Sequence, residues 1–259
     1  MSLDLGPGVG FSVPTAAKLA SLAELSYLPP REQVEIARRE GFRLGVALST
    51  GGGTQVFVYE GEQDVVVVFR GTEITCLEDV KTDLRVRKVV GALGGKVHRG
   101  FLRAVEEVEG ALTEALVPFD NDEADMRLWI TGHSLGGALA HLYACLLPLG
   151  LRRRLRGVYT FGAPRVGNWL HARRFREAVG ELEQRVVRSG DPVSILPTLV
   201  IGYVHANPMV YVDVDGRVRL KISPLERLIS IIRSLPRASV LHYHLIAGYR
   251  SVLQRLLHG

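Results

Sequence analysis

Between an apolar stretch at 126–131 and a small-residue run at 137–147, the chain reads Gly132-His133-Ser134-Leu135-Gly136. A serine flanked by glycines at this spacing fits a strand that turns sharply into a helix, with the serine at the apex. The serine backbone is held strained, and side chains two positions either side would collide across so tight a turn. The strain exposes the hydroxyl, and the helix start behind it brings free N–H groups and positive dipole towards developing negative charge. A glycine-flanked serine also reads as a simple helix cap, so context decides. Leu128-Trp129-Ile130-Thr131 supplies an apolar, β-rich strand before the serine. Ala138, Leu139, Leu142, Tyr143, Leu146 and Leu147 supply an apolar helix after it, ended by Pro148 and Gly150.

Beyond this turn the pattern alternates: strand 126–131, helix 134–147, strand 157–161, helix 169–179, strand 184–188. Such alternation argues for parallel strands joined by helical crossovers. Upstream, helices are predicted over 14–27, stopped by Pro29-Pro30, and over 31–39. Strands follow at 42–48, 55–59 and 64–69, the last two forming a hairpin across Glu60-Gly61-Glu62-Gln63. Val65-Val66-Val67-Val68-Phe69 is continuously apolar, the mark of a strand buried on both faces. A helix runs from after Gly100 to about Leu116, and a late hairpin (209–214 and 217–222) turns at Asp215-Gly216. Amphipathic helices are predicted near 225–232 and 245–257. The expected class is α/β: a mostly parallel central sheet flanked by helices, with antiparallel N-terminal strands and a late hairpin. A chain of 259 residues with 47% hydrophobic content buries one substantial core, and 1–259 is read as a single domain.

Composition narrows the function classes. No run approaches the roughly 18 uninterrupted apolar residues of a transmembrane helix. The first residues carry Asp4, no early Lys or Arg and no apolar core, so no signal peptide is visible. A cytoplasmic protein or a mature secreted form is expected. Two cysteines, Cys76 and Cys145, make no disulfide framework, and Cys145 reads as a small buried residue. The net charge of +5 favours anionic surfaces, phospholipid headgroups among them. Arg152-Arg153-Arg154 with Arg156 is read as a solvated helix-to-strand connection. It lacks the aromatic interleaving of a nucleic-acid site. No Cys/His clustering suggests a metal, and no cofactor is expected.

A serine hydroxyl needs an adjacent base, and the base an orienting acid. On a sheet of this kind both should follow the serine, acid first and histidine last, beyond the carboxyl ends of the strands. Asp191 stands just past strand 184–188, in Ser189-Gly190-Asp191-Pro192, where it reads equally as an acid or a turn residue. Asp213 and Asp215 belong to the hairpin; Asp120, Asp122 and Asp125 lie before the serine strand, at its other end; Asp79 and Asp83 break the order. Of the histidines, His258 is terminal and His205 sits beside the hairpin, leaving His242 and His244 flanking Tyr243. Residues two apart point differently, so one of the pair faces Ser134. Spacing alone does not choose between them.

The chain resembles the class 3 (fungal-type) lipases through motifs in order from about Leu19 to Leu253. They are Val68-Phe69-Arg70-Gly71-Thr72, Val97-His98-Arg99-Gly100-Phe101, and the run from Thr131 through Gly132-His133-Ser134-Leu135-Gly136-Gly137 to Ala140. Thr160-Phe161-Gly162-Ala163-Pro164-Arg165-Val166-Gly167-Asn168, Arg188-Ser189-Gly190-Asp191-Pro192-Val193 and His244-Leu245-Ile246-Ala247-Gly248-Tyr249 follow. The resemblance implies an α/β-hydrolase fold, with Ser134 as nucleophile, Asp191 as acid and His244 as base. Tyr249 stands five residues after His244, as similar proteins place a tyrosine after their catalytic histidine. It further implies an oxyanion hole from Thr72 and Leu135. His98, His133, Arg70 and Asp83 are read as structural polar groups. The chain departs from the family at Asp79-Val80, where an Asn-Trp pair is typical.

Fungal relatives carry a lid directly after the oxyanion strand. Here 73–82 offers Ile74, Leu77 and Val80 as a short apolar face. A second stretch, 223–236, with Leu225, Leu228, Ile229, Ile231 and Ile232 on one side, reads first as a helix packed on the core and alternatively as a cover. The expected protein is a serine hydrolase of lipid esters, meeting its substrate at a lipid–water interface. The rivals are a carboxylesterase of short or aromatic soluble esters, a phospholipase, and, more remotely, a non-catalytic lipid- or ester-binding module.

Overall fold

The computed structural model describes residues 10–72, 87–120, 126–223, 225–226, 229–230, 232 and 244–258. Two helices open the chain, α1 (Val13–Leu25) and α2 (Pro30–Arg39). Three strands, β1 (Arg43–Ser49), β2 (Gln55–Glu60) and β3 (Asp64–Phe69), then form an antiparallel meander. A separate ribbon of β4 (Lys88–Val90) and β5 (Lys96–His98) leads into α3 (Arg99–Leu116). Next come β6 (Arg127–His133), α4 (Leu135–Leu146), the short α5 (Leu149–Arg154), β7 (Leu155–Phe161), α6 (Trp169–Ala178) and β8 (Glu183–Arg188). The hairpin β9 (Met209–Val212) and β10 (Val218–Arg219), and α7 (Ile246–His258), complete the described elements.

The main sheet has eight strands in the order β1-β2-β3-β6-β7-β8-β9-β10. From β3 to β9 every neighbouring pair is parallel, so the carboxyl ends of five strands meet at one edge. Strand periodicity of two sorts the side chains by face. Val65, Val67 and Phe69 of β3 join the core under α3, α4 and α6, while Val66 and Val68 join the core under α1 and α7. That is why the run of valines is uninterrupted: both faces are covered.

The α/β expectation holds, with three local differences. Strand β6 runs on to His133, because Gly132 and His133 stay paired with Thr160 and Phe161 of β7. The arginine cluster does join a helix to a strand, but as structure instead of a loop: Arg152–Arg154 end α5, Arg156 lies in β7, and Arg153 is exposed, while Arg152 donates to the carbonyls of Cys145 and Leu147 at the end of α4. Positive charge there also suits the negative end of the helix dipole. In the 223–236 stretch, Leu225, Ile229 and Ile232 are exposed instead of packed on the core, while Ser230 is buried and donates to Ser189 Oγ at 3.0 Å. Residues 73–82, with Cys76, Asp79 and Val80, lie outside the described residues, as do Asp83, Asp122, Asp125 and His242.

A polar cluster that sequence reasoning did not find lies between α4, α6 and β8. Glu183 accepts from His141 Nδ1 at 2.5 Å, and His141 Nε2 faces His171 Nε2 at 3.0 Å. Burial, with His141 alongside, pushes the His171 pKa down to about 3. The unfolded chain therefore binds a proton that the folded chain refuses, and stability rises with pH across that window. Melting temperature is expected to fall as pH drops from neutrality through about 6.5 towards 3. Each such histidine contributes about 1.4 kcal/mol per pH unit. A His171→Gln variant, melted over the same series, is expected to show a flatter dependence.

Candidate active site

Ser134 occupies the turn between β6 and α4 with φ 58°, ψ −128°. Among the described residues it is the one non-glycine residue with positive φ. Strain of this kind persists only where the surroundings impose it. The imposing contacts are backbone to backbone. A Cβ on Gly132 would sit 2.3 Å from the Gly136 carbonyl oxygen, and one on Gly136 would sit 2.1 Å from the Phe69 carbonyl oxygen. Both glycines are thus required by close approach.

The helix-cap alternative fails here. Ser134 holds the cap position, yet its side chain makes no capping bond. Its Oγ lies 2.8 Å from His244 Nε2, and His244 Nδ1 lies 3.0 Å from both Asp191 oxygens. Of the two late histidines left open on spacing, His244 is brought to Ser134 from 110 residues away, and His242 lies outside the described residues. All three side chains are buried: Ser134 is 1% exposed, His244 0% and Asp191 5%.

Asp191 is held from two further directions. The Val193 N–H donates to Oδ1 at 2.9 Å and the Tyr249 hydroxyl donates to Oδ2 at 2.5 Å. Tyr249 in turn accepts from the Arg188 N–H at 3.1 Å. Burial first, then the Asp191 charge, raises the Tyr249 pKa well above the usual phenol range, so the hydroxyl keeps its proton. Gly162, at φ 58°, makes room beneath: a Cβ there would lie 2.4 Å from Asp191 Oδ2 and 3.1 Å from His244 Nδ1. Sequence reasoning used Tyr249 as a marker of position and missed its bond to Asp191. Tyr249→Phe is expected to lower kcat for a soluble ester by about tenfold, from loss of one hydrogen bond to a charged group, with KM little changed in steady-state assays.

His133 has a definite task as well. A carbonyl can only accept, so its Nε2 carries the proton donated to the His244 carbonyl at 2.5 Å. Its Nδ1 is then the acceptor for the Tyr27 hydroxyl at 2.8 Å. Burial and the neighbouring His244 hold His133 well below the usual imidazole range, which keeps it neutral in this role. The structural reading of His133 stands, and the structure supplies what it braces: the backbone of His244. His98 caps α3, accepting from the Phe101 N–H at 3.3 Å, and Arg70 donates to Gln55 at 2.6 Å. His205 donates to the Ser194 carbonyl at 2.7 Å.

Thr72 and Leu135 border one cleft of about 420 Å³ together with Gly71 and Leu139. A Cβ on Gly71 would lie 3.3 Å from Ser134 Cβ, so the segment after β3 passes directly beside the serine. Leu135 opens α4, where backbone N–H groups have no partner within the helix. Thr72 also borders a second cavity of about 540 Å³, lined by Leu25, Tyr27, Leu28, His133, Leu245 and Ile246. Its walls are mostly apolar, as an acyl or alkyl chain requires. Among the described residues no group of three or more His, Cys, Asp or Glu side chains is arranged to hold a metal.

A strained serine between a central parallel strand and a helix, hydrogen-bonded to a late histidine and through it to an aspartate, defines an α/β-hydrolase. The class 3 lipase model matches residues 66–201, more than half of the chain. The protein belongs to the class 3 lipases, a family of carboxylic ester hydrolases. A secreted mono- and diacylglycerol lipase of Fusarium solani is 33% identical over 175 residues, 65% of this chain and 50% of that protein. The chain thus spans about half the length of the Fusarium relative. A secreted mono- and diacylglycerol lipase of Malassezia globosa is 28% identical over 227 residues, covering 82% of this chain and 73% of its own. A triacylglycerol lipase of solved structure, whose catalytic centre is described as a serine protease triad, superposes with a TM-score of 0.73. It is 25% identical, over 91% of this chain and 94% of its own.

Proposed function

We propose that the protein hydrolyses fatty-acid esters of glycerol through an acyl-enzyme on Ser134, with His244 as base, Asp191 as acid, and Thr72 and Leu135 as the oxyanion hole. The observation that carries this reading is the bonded chain Ser134–His244–Asp191 at a strained strand-to-helix turn. Ser134 Oγ attacks the ester carbonyl carbon and passes its proton to His244 Nε2. Asp191, bonded at Nδ1, fixes the imidazole orientation and stabilises the imidazolium that forms. The backbone N–H groups of Leu135 and Thr72 receive the oxyanion, each fixed donor being worth about a hundred- to a thousandfold in rate. The tetrahedral intermediate collapses, His244 Nε2 protonates the departing alcohol, and the acyl group stays on Ser134. Water, deprotonated by the same histidine, then attacks the acyl-enzyme and releases the fatty acid.

The acylglycerol substrate is supported by the apolar cavity beside Thr72 and by the named activities of the relatives. Those relatives are secreted, and among the described residues no helix is long and apolar enough to cross a membrane. The reading extends to this chain as a mature secreted form folded as one domain. Acyl-length preference tests the substrate, measured from p-nitrophenyl butyrate to emulsified mono-, di- and trioleoylglycerol. The expected optimum lies on the emulsified long-chain acylglycerols. An optimum on the short soluble ester would mark a carboxylesterase, and release of fatty acid from phosphatidylcholine alone would mark a phospholipase.

A further inference from the structure

Tyr27 lies just past the end of α1 and reaches the candidate site from outside the sheet. Its hydroxyl donates to His133 Nδ1 at 2.8 Å, and the His133 Nε2–H donates to the His244 carbonyl at 2.5 Å. The Tyr27 and His133 rings meet edge to face with centroids 5.9 Å apart, and the His133 and His244 rings lie 4.6 Å apart. The hydroxyl has little room to swing away. A Cβ on Gly71 would lie 2.3 Å from it, so the segment after β3 closes over it. Tyr27 also borders the cavity of about 540 Å³ beside Thr72, as do Leu245 and Ile246, which follow His244 directly.

The direction of these bonds gives Tyr27 a task. Neutral His133, protonated at Nε2 for the His244 carbonyl, is bare at Nδ1. A buried ring nitrogen without a donor is costly, and at 3% exposure His133 has little access to water. The Tyr27 hydroxyl supplies the donor, and so holds the ring in the tautomer and orientation that grip the His244 backbone. The imidazole hangs from that backbone, and small displacements of a catalytic group cost rate steeply. We propose that Tyr27 is a positioning residue for ester hydrolysis, acting through His133 on the placement of the His244 imidazole against Ser134. This rests on the lipase reading and deepens it, by assigning part of the rate to a residue at the end of α1.

Tyr27→Phe removes the hydroxyl and keeps the ring beside the cavity. It is expected to lower kcat on p-nitrophenyl butyrate about fivefold, the worth of one hydrogen bond, with KM unchanged. Its melting temperature is expected to stay within about 4 °C of wild type. Inhibition by butaneboronic acid, whose tetrahedral adduct on the serine engages the same imidazole, is expected to weaken by the same factor as kcat. The decisive comparison is a double-mutant cycle with His133→Phe. On that background Tyr27→Phe is expected to add less than about twofold to the loss of kcat, because its route to His244 is already cut, whereas independent groups multiply their losses. Should His133→Phe fail to fold, the split between kcat and KM in Tyr27→Phe decides alone. Unchanged kcat in Tyr27→Phe, a loss that falls on KM, or multiplied losses in the double variant would overturn the proposal. Failure of the lipase reading would appear separately, as absent ester turnover by the wild type.

Discussion

Ser134→Ala is expected to lower kcat on p-nitrophenyl butyrate on the order of a million-fold, as removal of a triad serine does. The expectation is this large because in the proposed mechanism the hydroxyl oxygen is the atom that forms the acyl bond, and it lies in hydrogen-bond contact with His244 Nε2. The fold should survive. The Ser134 side chain caps nothing in α4, and the strained backbone at φ 58° is imposed by Gly132 and Gly136, which the variant keeps. Circular dichroism and melting temperature check that second half. Activity within tenfold of wild type would remove Ser134 from the chemistry.

His244→Ala is expected to be nearly as severe, because in the proposed mechanism one ring serves as base in acylation and as acid towards the leaving alcohol. Its removal also leaves Asp191 with the Val193 N–H and the Tyr249 hydroxyl as partners, so a lower melting temperature is expected alongside the kinetic loss. The paired control is His242→Ala, expected to keep turnover within a few-fold of wild type. The reverse outcome, with His242→Ala inactive and His244→Ala active, would exchange their roles. Steady-state kinetics of both variants on one soluble ester decide the matter.

What the sequence carried was local. Gly132 announces a turn because the collision it avoids is with Gly136, four residues on, whereas Gly136 clears the distant Phe69 carbonyl; the alternating faces of β3 are written in Val65-Val66-Val67-Val68-Phe69. Chain order then limited the acid and base to late positions. The remainder depends on contacts between residues far apart in the chain. Whether His242 or His244 faces the serine is set by the docking of α7 onto α1 and the sheet, where Tyr249 and Leu253 are buried. Spacing could not reach that choice, and resemblance made it.

The same distance hid the bracing groups. Tyr249 meets Asp191 across 58 residues, His133 meets the His244 carbonyl across 111, and Tyr27 meets His133 across 106. None of these pairs leaves a periodic or motif-like signature of its own. The His141–His171–Glu183 cluster was missed for a related reason: an apolar helix with a histidine on its inner face reads as core until its partner appears. The role of Arg152 stayed hidden because its acceptors, the Cys145 and Leu147 carbonyls, are groups that every helix end exposes and no side chain advertises.

The central claim is that Ser134 forms a covalent bond with the substrate acyl group. A fluorophosphonate probe tests it most directly, since the serine oxygen attacks phosphorus, fluoride departs and the adduct is stable. Intact mass spectrometry is expected to show one adduct per chain. Peptide mapping should place it on Ser134, with labelling abolished in Ser134→Ala and strongly slowed in His244→Ala. An adduct on another residue, or equal labelling of the Ser134→Ala protein, would contradict the account.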